Sequence, residues 1–160
     1  MDHHLFPFDK VKTVSFKELE VHSPDFKDHG YIPNRHSCRG ENHNPALTID
    51  HIPQEAKTLA IIVDDPDAPS GDWVHWVIWN IPPTRHVKVM EDRGTQGRND
   101  FDTNTYSGPC PPSGTHRYFF KVYALNCMLD LTAFAGKKEL ERAMGGHVIG
   151  FGELIGLFKH

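Results

Sequence analysis

Short apolar runs separated by prolines and glycines set the pattern of this chain. The run "TLAIIVDD" at 58–65 is apolar on both faces, which predicts a central strand covered on both sides. "WVHWVIWNIP" at 73–82 predicts a second core strand that Pro82 and Pro83 end, and "HRYFFKVYAL" at 116–125 predicts a third. Twelve prolines and thirteen glycines around such runs favour an all-β sandwich over alternating βαβ units.

Weaker patterns lie on either side of these strands. "TVSFKEL" at 13–19 alternates and predicts an early strand, and a loop-rich stretch follows it with a short strand near Tyr31. The tail "HVIGFGELIGLFK" at 147–159 predicts a last strand. Residues 85–107 are polar and without a clear period, which predicts a long surface loop.

One helix is predicted, over "KKELERAM" at 137–144. Leu140 and Met144 are four residues apart and therefore share a face, and Gly145 is the natural C-terminal cap. Since the elements form one continuous set, residues 1–160 are predicted to form a single domain.

Composition excludes several classes of protein. Hydrophobic residues make up 38% of the chain, which is enough for a packed core. The net charge is −4 with scattered Lys and Arg, whereas nucleic-acid binding needs a clustered basic face. No apolar run approaches the roughly 20 residues of a transmembrane helix. The start "MDHHLFPFDK" lacks the pattern of a secretory signal, so the predicted location is the cytoplasm.

Cysteine and histidine spacing gives no metal motif. Cys38, Cys110 and Cys127 form no C-x-x-C pair, and for a cytoplasmic protein they are predicted to be reduced, mostly buried thiols. The twelve histidines are dispersed and contain no H-E-x-x-H spacing. The sequence therefore predicts neither a metal nor a cofactor.

Histidine, tyrosine and aspartate residues lie close to the starts of two predicted core strands. A period of two places two sets of side chains on shared faces, Trp73, His75, Val77 and Trp79 in one strand and His116, Tyr118, Phe120 and Val122 in the next. Arg117 points to the opposite face. Each residue alone is more typical of a core or a turn. Their joint presence after proline-containing loops predicts a pocket of two imidazoles, a phenol and the carboxylates of Asp65 and Asp67.

Two long segments in this order resemble the phosphatidylethanolamine-binding protein family, in its bacterial and archaeal, Raf-kinase-inhibitor-like branch. They are "DPDAPSGDWVHWVIWNIP" and "YSGPCPPSGTHRYFFKVYAL", with weaker support from "FKDHGYIPNRHSCRGENHNPAL", "GRNDF" and "HVIGFGELIG". The resemblance covers most of the chain from residue 24 onward. It implies a β-sandwich with a large and a small antiparallel sheet and one or two short helices.

The resemblance also implies a site and its ligand. The family's pocket binds phosphate, phosphoryl head groups and similar anions, and the matching positions are Asp65, Asp67, His75, Gly108, Pro109, His116 and Tyr118. It further implies a homodimer and, together with the low cost of cis X–Pro bonds, a cis peptide at Ala68–Pro69. This chain departs from the family pattern at Ile49, Asp102 and Phe158, and the last two leave the outer pocket wall and the ligand size open.

Non-catalytic binding of a small phosphoryl or other anionic ligand is the leading hypothesis, with modulation of a partner protein such as a kinase. Imidazolium and phenol donors would hold the anion, so affinity is expected to rise as pH falls, and the carboxylates would bind a ligand ammonium. Three alternatives stay open. They are a small hydrolase using the His/Asp pocket, with Ser70, Ser113 and Cys110 nearby but no G-x-S-x-G elbow; a two-His, one-carboxylate metal site; and an inhibitor of kinases or proteases acting through surface loops.

Overall fold

The computed structural model describes residues 16–160. In these residues the chain forms ten strands, one α-helix and a short 3-10 turn at Asn34–His36. The strands are β1 Lys17–Glu18, β2 Glu20–His22, β3 Gly30–Tyr31, β4 Leu47–Asp50, β5 Thr58–Asp65, β6 Trp73–Ile81, β7 His86–Val87, β8 Thr95–Gln96, β9 Thr115–Leu125 and β10 Val148–Lys159, and the helix α1 is Lys137–Met144. Residues 13–15 of the predicted early strand lie outside the described residues.

Two sheets build the sandwich. The large sheet has the order β1-β10-β9-β5-β6-β8, with β3 also paired to β10, and the small sheet has the order β2-β4-β7. All the long pairings are antiparallel, and only the two-residue strands β1 and β3 run parallel to β10. The predicted fold, a sandwich of a large and a small sheet with a short helix, is confirmed. Among the described residues no helix is long and apolar enough to span a membrane.

The large sheet is covered on both faces. Ile61 and Val63 of β5 face the small sheet and join the inter-sheet core, together with Leu47 and Ile49. Their neighbours along β5, including Ile62, face α1 and join the helix-side core. Because β5 lies between β6 and β9 and is covered on both faces, all eight of its residues are buried, as its apolar pattern predicts.

The predicted core strands, the last strand and the helix are all present. Leu140 and Met144 are both fully buried on the inner face of α1, and Gly145 follows the helix as its cap. The prediction of one long surface loop over residues 85–107 is wrong in part, because the segment contains β7 and β8 and buries Glu91 and Asn99. The side chains of Glu91 and Asn99 accept hydrogen bonds from backbone N–H groups of the same segment. These bonds allow the two polar side chains to be buried.

A β-bulge in β6 changes which residues share a face. Val63 pairs with Trp76 but Asp64 pairs with Val74, so His75 is the extra residue between them. His75 and Trp76 therefore both lie on the side of the small sheet, whereas Val77 and Trp79 pack in the helix-side core. The predicted common face of Trp73, His75, Val77 and Trp79 is wrong for this reason. The corresponding set in β9 is correct, because Tyr118, Phe120 and Val122 share the inter-sheet core.

Cys38 and Cys110 form a disulfide, with their Cα atoms 5.5 Å apart. The prediction of three reduced thiols is therefore wrong, and Cys127 is the free cysteine of the described residues. The pairing follows from tertiary contact, because the backbone N–H of Cys38 donates to the Pro109 carbonyl at 3.1 Å and aligns the two segments.

The Ala68–Pro69 peptide is trans, as are all peptide bonds in residues 16–160, so the predicted cis bond is wrong. The chain turns in this loop through the backbone conformation of Gly71. Gly71 adopts φ 106°, and its N–H donates to the Ala68 carbonyl at 3.0 Å. A glycine in a left-handed conformation closes the turn without a cis proline.

Candidate ligand-binding site

A cavity of about 270 Å³ lies at the end of the large sheet where β5 finishes and β6 and β9 begin. Antiparallel neighbours bring these ends together, since Asp65 at the end of β5 pairs with Trp73 at the start of β6. Asp65, His75, His116 and Tyr118 line the cavity, as the sequence predicts. The remaining wall is mostly apolar and consists of Ala68, Pro69, Ser70, Trp73, Phe101, Cys110, Pro111 and Pro112.

Asp65 and His116 form a buried pair. His116 Nδ1 lies 2.6 Å from Asp65 Oδ2, and the two side chains are 9% and 4% exposed. The other oxygen of Asp65 accepts the backbone N–H of Asp67 at 2.8 Å. Since a carboxylate can only accept, Nδ1 of His116 carries the proton, and Nε2 is the nitrogen left for a ligand.

His75 is fixed by a backbone carbonyl and by two aromatic rings. Its Nδ1 donates to the Ser107 carbonyl at 2.6 Å, and the rings of Phe101 and Tyr118 each meet it edge to face at 5.2 Å. Burial lowers the pKa of His75 below its usual value of 6.5, and the Ser107 carbonyl and the charge of Asp65 oppose this only in part. His75 is therefore neutral at neutral pH, which differs from the expectation of two imidazolium donors.

Tyr118 lies between the two histidines and supplies a hydroxyl. Its ring stacks on His116 with centroids 6.4 Å apart and an interplanar angle of 23°. Burial, followed by the negative charges of Asp65 and Asp67, raises the pKa of Tyr118 far above its usual range. The phenol consequently stays protonated at every physiological pH and is a permanent hydrogen-bond donor.

Asp67 does not line the cavity. Both of its carboxylate oxygens accept from the Arg117 guanidinium at 2.9 Å, and one also accepts the Arg117 backbone N–H. These bonds to Arg117 hold the pKa of Asp67 below its usual value. The ion pair ties the loop before β6 to the start of β9, so Asp67 shapes the cavity from outside.

Gly108 and Pro109 also lie behind the cavity wall. The Gly108 N–H donates to Asn42 Oδ1 at 2.7 Å, and a Cβ at this position would collide with the His36 carbonyl oxygen. The Pro109 carbonyl accepts the Cys38 N–H. Both residues position the segment that carries Ser107 and Cys110, a role that the residue pattern alone does not distinguish from direct contact with a ligand.

Sequence reasoning missed three contributors to the site. Phe101 stands at the mouth, 41% exposed, with its ring 5.7 Å from that of Trp73. Ser107 acts through its carbonyl, which no side-chain pattern reveals. Asn99 is buried beneath them and donates to the carbonyls of His75 and Thr105 at 3.3 and 2.7 Å. An isolated buried asparagine in a polar segment gives a weak signal at best.

The three departures from the family pattern lie outside the cavity lining. Ile49 is 1% exposed in the inter-sheet core, which makes it a packing residue. Phe158 is 4% exposed and lies under the Arg39 guanidinium, 5.1 Å from the ring centroid. Asp102 is exposed and has φ 61°, close to Arg98. None of them lines the cavity, but Phe158 lies directly opposite His116 in the pairing of β10 with β9, so it neighbours a cavity residue.

Comparison with known proteins agrees with this architecture. Residues 22–159 match the family described as phosphatidylethanolamine-binding protein. A UPF0098 protein of Methanothermobacter thermautotrophicus is 50% identical over 149 residues, covering 88% of this chain and 97% of that relative. A second, from Pyrococcus abyssi, is 46% identical over 154 residues, covering 89% of this chain and 86% of the relative.

Two solved structures are also similar. The phosphatidylethanolamine-binding protein homologue CT736 of Chlamydia trachomatis has a TM-score of 0.86 at 34% identity, covering 90% of this chain and 99% of the other. YbcL of Escherichia coli, described as a member of the mammalian family, has a TM-score of 0.82 at 28% identity, covering 89% and 98%. Fold and site define a β-sandwich with a buried Asp/His/Tyr pocket at one end of its large sheet. The chain belongs to the phosphatidylethanolamine-binding protein family.

Proposed function

We propose that this cavity binds a phosphoryl group or another small oxyanion without turning it over. The observation that carries the proposal is the Asp65–His116 pair, which engages Nδ1 of His116 and leaves Nε2 for a ligand in a cavity that Tyr118 also lines. A histidine imidazolium is a charged donor, and the phenol adds a neutral one. Charge-assisted bonds of this kind are the strongest that a side chain offers to an oxyanion.

The carboxylates near the cavity do not oppose an anion as strongly as their number suggests. Asp65 gives one oxygen to His116 and the other to a backbone N–H, and Asp67 is neutralised by Arg117. Their negative charges are therefore compensated by protein donors. This compensation supports an anionic ligand in a chain whose net charge is −4.

A hydrolase is the weaker alternative. The disulfide removes Cys110 as a thiol nucleophile. Ser70 lines the cavity, but within residues 16–160 no histidine is hydrogen-bonded to its hydroxyl. Turnover of generic phosphate and carboxylate esters would support this reading, and its absence alongside measured binding supports a binding module.

Three finer assignments are proposals, of which the first two rest on family membership and the third on the sequence pattern. They are modulation of a partner protein such as a kinase, assembly as a homodimer and location in the cytoplasm. The Cys38–Cys110 disulfide weighs against a reducing compartment, because such compartments keep thiols free.

Calorimetric titration with inorganic phosphate tests the binding proposal. His116→Ala is expected to weaken binding by roughly 1–3 kcal/mol, the range for a lost charge-assisted hydrogen bond. His22→Ala is the matched control, because His22 is an exposed histidine of the small sheet outside the cavity. Wild-type protein that does not bind phosphate, or a folded His116→Ala variant with unchanged affinity, would overturn the proposal.

A further inference from the structure

We infer that His75 accepts a hydrogen bond from the ligand, so that the site selects phosphoryl groups that carry a proton. Phosphomonoesters and inorganic phosphate would then bind better than phosphodiesters or sulfate. This inference rests on the proposed function and assigns the class of phosphoryl ligand.

The direction of the hydrogen bond follows from the contact on the other ring nitrogen. The Ser107 carbonyl can only accept, and at 2.6 Å from Nδ1 it fixes the proton on that nitrogen. His75 is 3% exposed and its ring lines the cavity. The Gly108 carbonyl also lies close to the ring, but in the described part of the chain no donor is hydrogen-bonded to Nε2 of His75, so its lone pair is left for the ligand.

The surroundings of His75 keep this lone pair free of a proton. Asp65, His116 and Tyr118 face the ring across the cavity, Phe101 covers its edge, and Asp64 lies on the opposite face of the sheet. Asp65 is the charge that would favour an imidazolium, but it is already engaged with His116. Burial prevails over these charges and lowers the pKa of His75.

An unprotonated nitrogen distinguishes two kinds of oxyanion. A ligand oxygen that carries hydrogen donates to Nε2, whereas an ionised oxygen meets a lone pair and is repelled. A fully ionised ligand must first bring a proton to His75 from solvent. Above the pKa of His75, this uptake weakens affinity about tenfold for each pH unit.

The two ester classes differ in this respect at neutral pH. A phosphomonoester has its second ionisation near pH 6, so about one tenth of it still carries a proton at pH 7. A phosphodiester has only one acidic oxygen, and that oxygen is ionised at neutral pH, as both are in sulfate. The head group of a membrane phospholipid is a diester and is therefore the poorer ligand by this criterion.

Calorimetry with matched ligand pairs tests the inference. Phosphoethanolamine and glycerophosphoethanolamine share the ammonium but differ as monoester and diester, and phosphate and sulfate share size and shape. At pH 7 we expect the protonatable member of each pair to bind about tenfold more tightly, the value of one good hydrogen bond. Once the pH falls below the lowered pKa of His75, the ratio should shrink, because His75 then carries its own proton.

The variant His75→Gln separates this selectivity from anion binding as such. Glutamine offers an amide N–H as well as a carbonyl, so it can donate to an ionised oxygen and should remove most of the tenfold preference. His22→Gln is the control and should retain the preference. If His75→Gln does not fold, the pH series on the wild-type protein decides the question.

The outcomes separate the inference from the function on which it rests. Equal affinity for phosphate and sulfate, or for the monoester and the diester, would overturn the inference and leave anion binding intact. Discrimination that survives in a folded His75→Gln variant would also overturn it. No binding of any of the four ligands would overturn the proposed function, and the inference with it.

Discussion

The Arg117 guanidinium binds Asp67 through two hydrogen bonds of 2.9 Å, so the carboxylate that precedes the cavity is directed away from it. Asp65, the other carboxylate of the same loop, is engaged by His116 and by the Asp67 N–H. Every oxygen of the two carboxylates therefore already accepts a hydrogen bond from the protein, which reduces what either can contribute to a ligand ammonium. The walls near the mouth, formed by Trp73 and Phe101, are aromatic.

Phosphoethanolamine should therefore gain little from its amine. We expect it to bind within about threefold of propyl phosphate, which has nearly the same shape and carries a methyl group in place of the ammonium. Cation–π contact with the aromatic mouth accounts for a small difference, since exposed contacts of this type contribute about 0.5–1 kcal/mol. Competition calorimetry at constant ionic strength measures the ratio, and a preference for the amine above tenfold would show that a carboxylate is available after all.

Removal of the Cys38–Cys110 disulfide should destabilise the fold. The bond closes a loop with a sequence separation of 72 residues. Loop entropy alone would give about 4 kcal/mol for this length, and disulfides typically stabilise proteins by roughly 2–4 kcal/mol. The double variant Cys38→Ser/Cys110→Ser should show this loss in urea denaturation, and Cys127→Ser should not. Thiol titration of the denatured, unreduced wild-type protein should find one reactive cysteine, whereas three would exclude the disulfide.

The stability of the protein should fall in mild acid. Burial lowers the pKa values of His36 and His75 in the folded protein, so unfolding takes up protons once the pH is below the unfolded value of about 6.5. Their stabilising contribution is thus complete above that pH and is lost as the pH falls toward the lowered folded values.

Asp72 changes the free energy of unfolding in the opposite direction as the pH falls, so the test uses a variant without this carboxylate. Its burial, and then the neighbouring Asp64, raise its pKa to about 6, so its protonation adds stability as the pH falls from about 6 toward 4. In an Asp72→Asn background, the free energy of unfolding should decrease from pH 6.5 to pH 5, and less steeply with His75→Gln added. An identical slope in both proteins would contradict a lowered pKa of His75.

Gly108→Ala should lower the free energy of unfolding, and its main effect should be on stability and not on phosphate binding. The new Cβ would collide with the His36 carbonyl oxygen, which is backbone and cannot move aside. A loss of about 2 kcal/mol or more is expected, as for other cases of overpacking. Gly136→Ala is the control, because its Cβ would have no neighbour nearer than 3.3 Å. A fully stable Gly108→Ala variant with weakened phosphate binding would instead indicate that Gly108 contacts the ligand.

Most of the large sheet could be predicted because its strands are covered on both faces. Strands such as β5 then appear as continuous apolar runs, and α1 appears through the spacing of Leu140 and Met144. The alternation of side chains between the two faces of a strand gives a wrong prediction only where a β-bulge interrupts the strand. The bulge at His75 leaves no trace in "WVHWVIW", since both faces of that strand are apolar whichever register is adopted.

The residues that line the cavity could be predicted in part, but their hydrogen bonds could not. Asp65, His75, His116 and Tyr118 follow from strand ends and family resemblance, and all four line the cavity. Their protonation depends on partners that are distant in sequence, such as the Ser107 carbonyl for His75 and the Arg117 side chain for Asp67. The disulfide depends in the same way on two segments that meet only in the folded chain.

The most direct test of anion binding in this cavity is an NMR titration of the histidine ring nitrogens with inorganic phosphate. His75 and His116 both line the cavity with Nδ1 engaged and Nε2 left for a ligand, whereas His22 lies on the small sheet. We predict that saturating phosphate shifts the Nε2 resonances of His75 and His116 and leaves those of His22 unchanged. Saturable phosphate binding that leaves both cavity histidines unshifted would contradict the account.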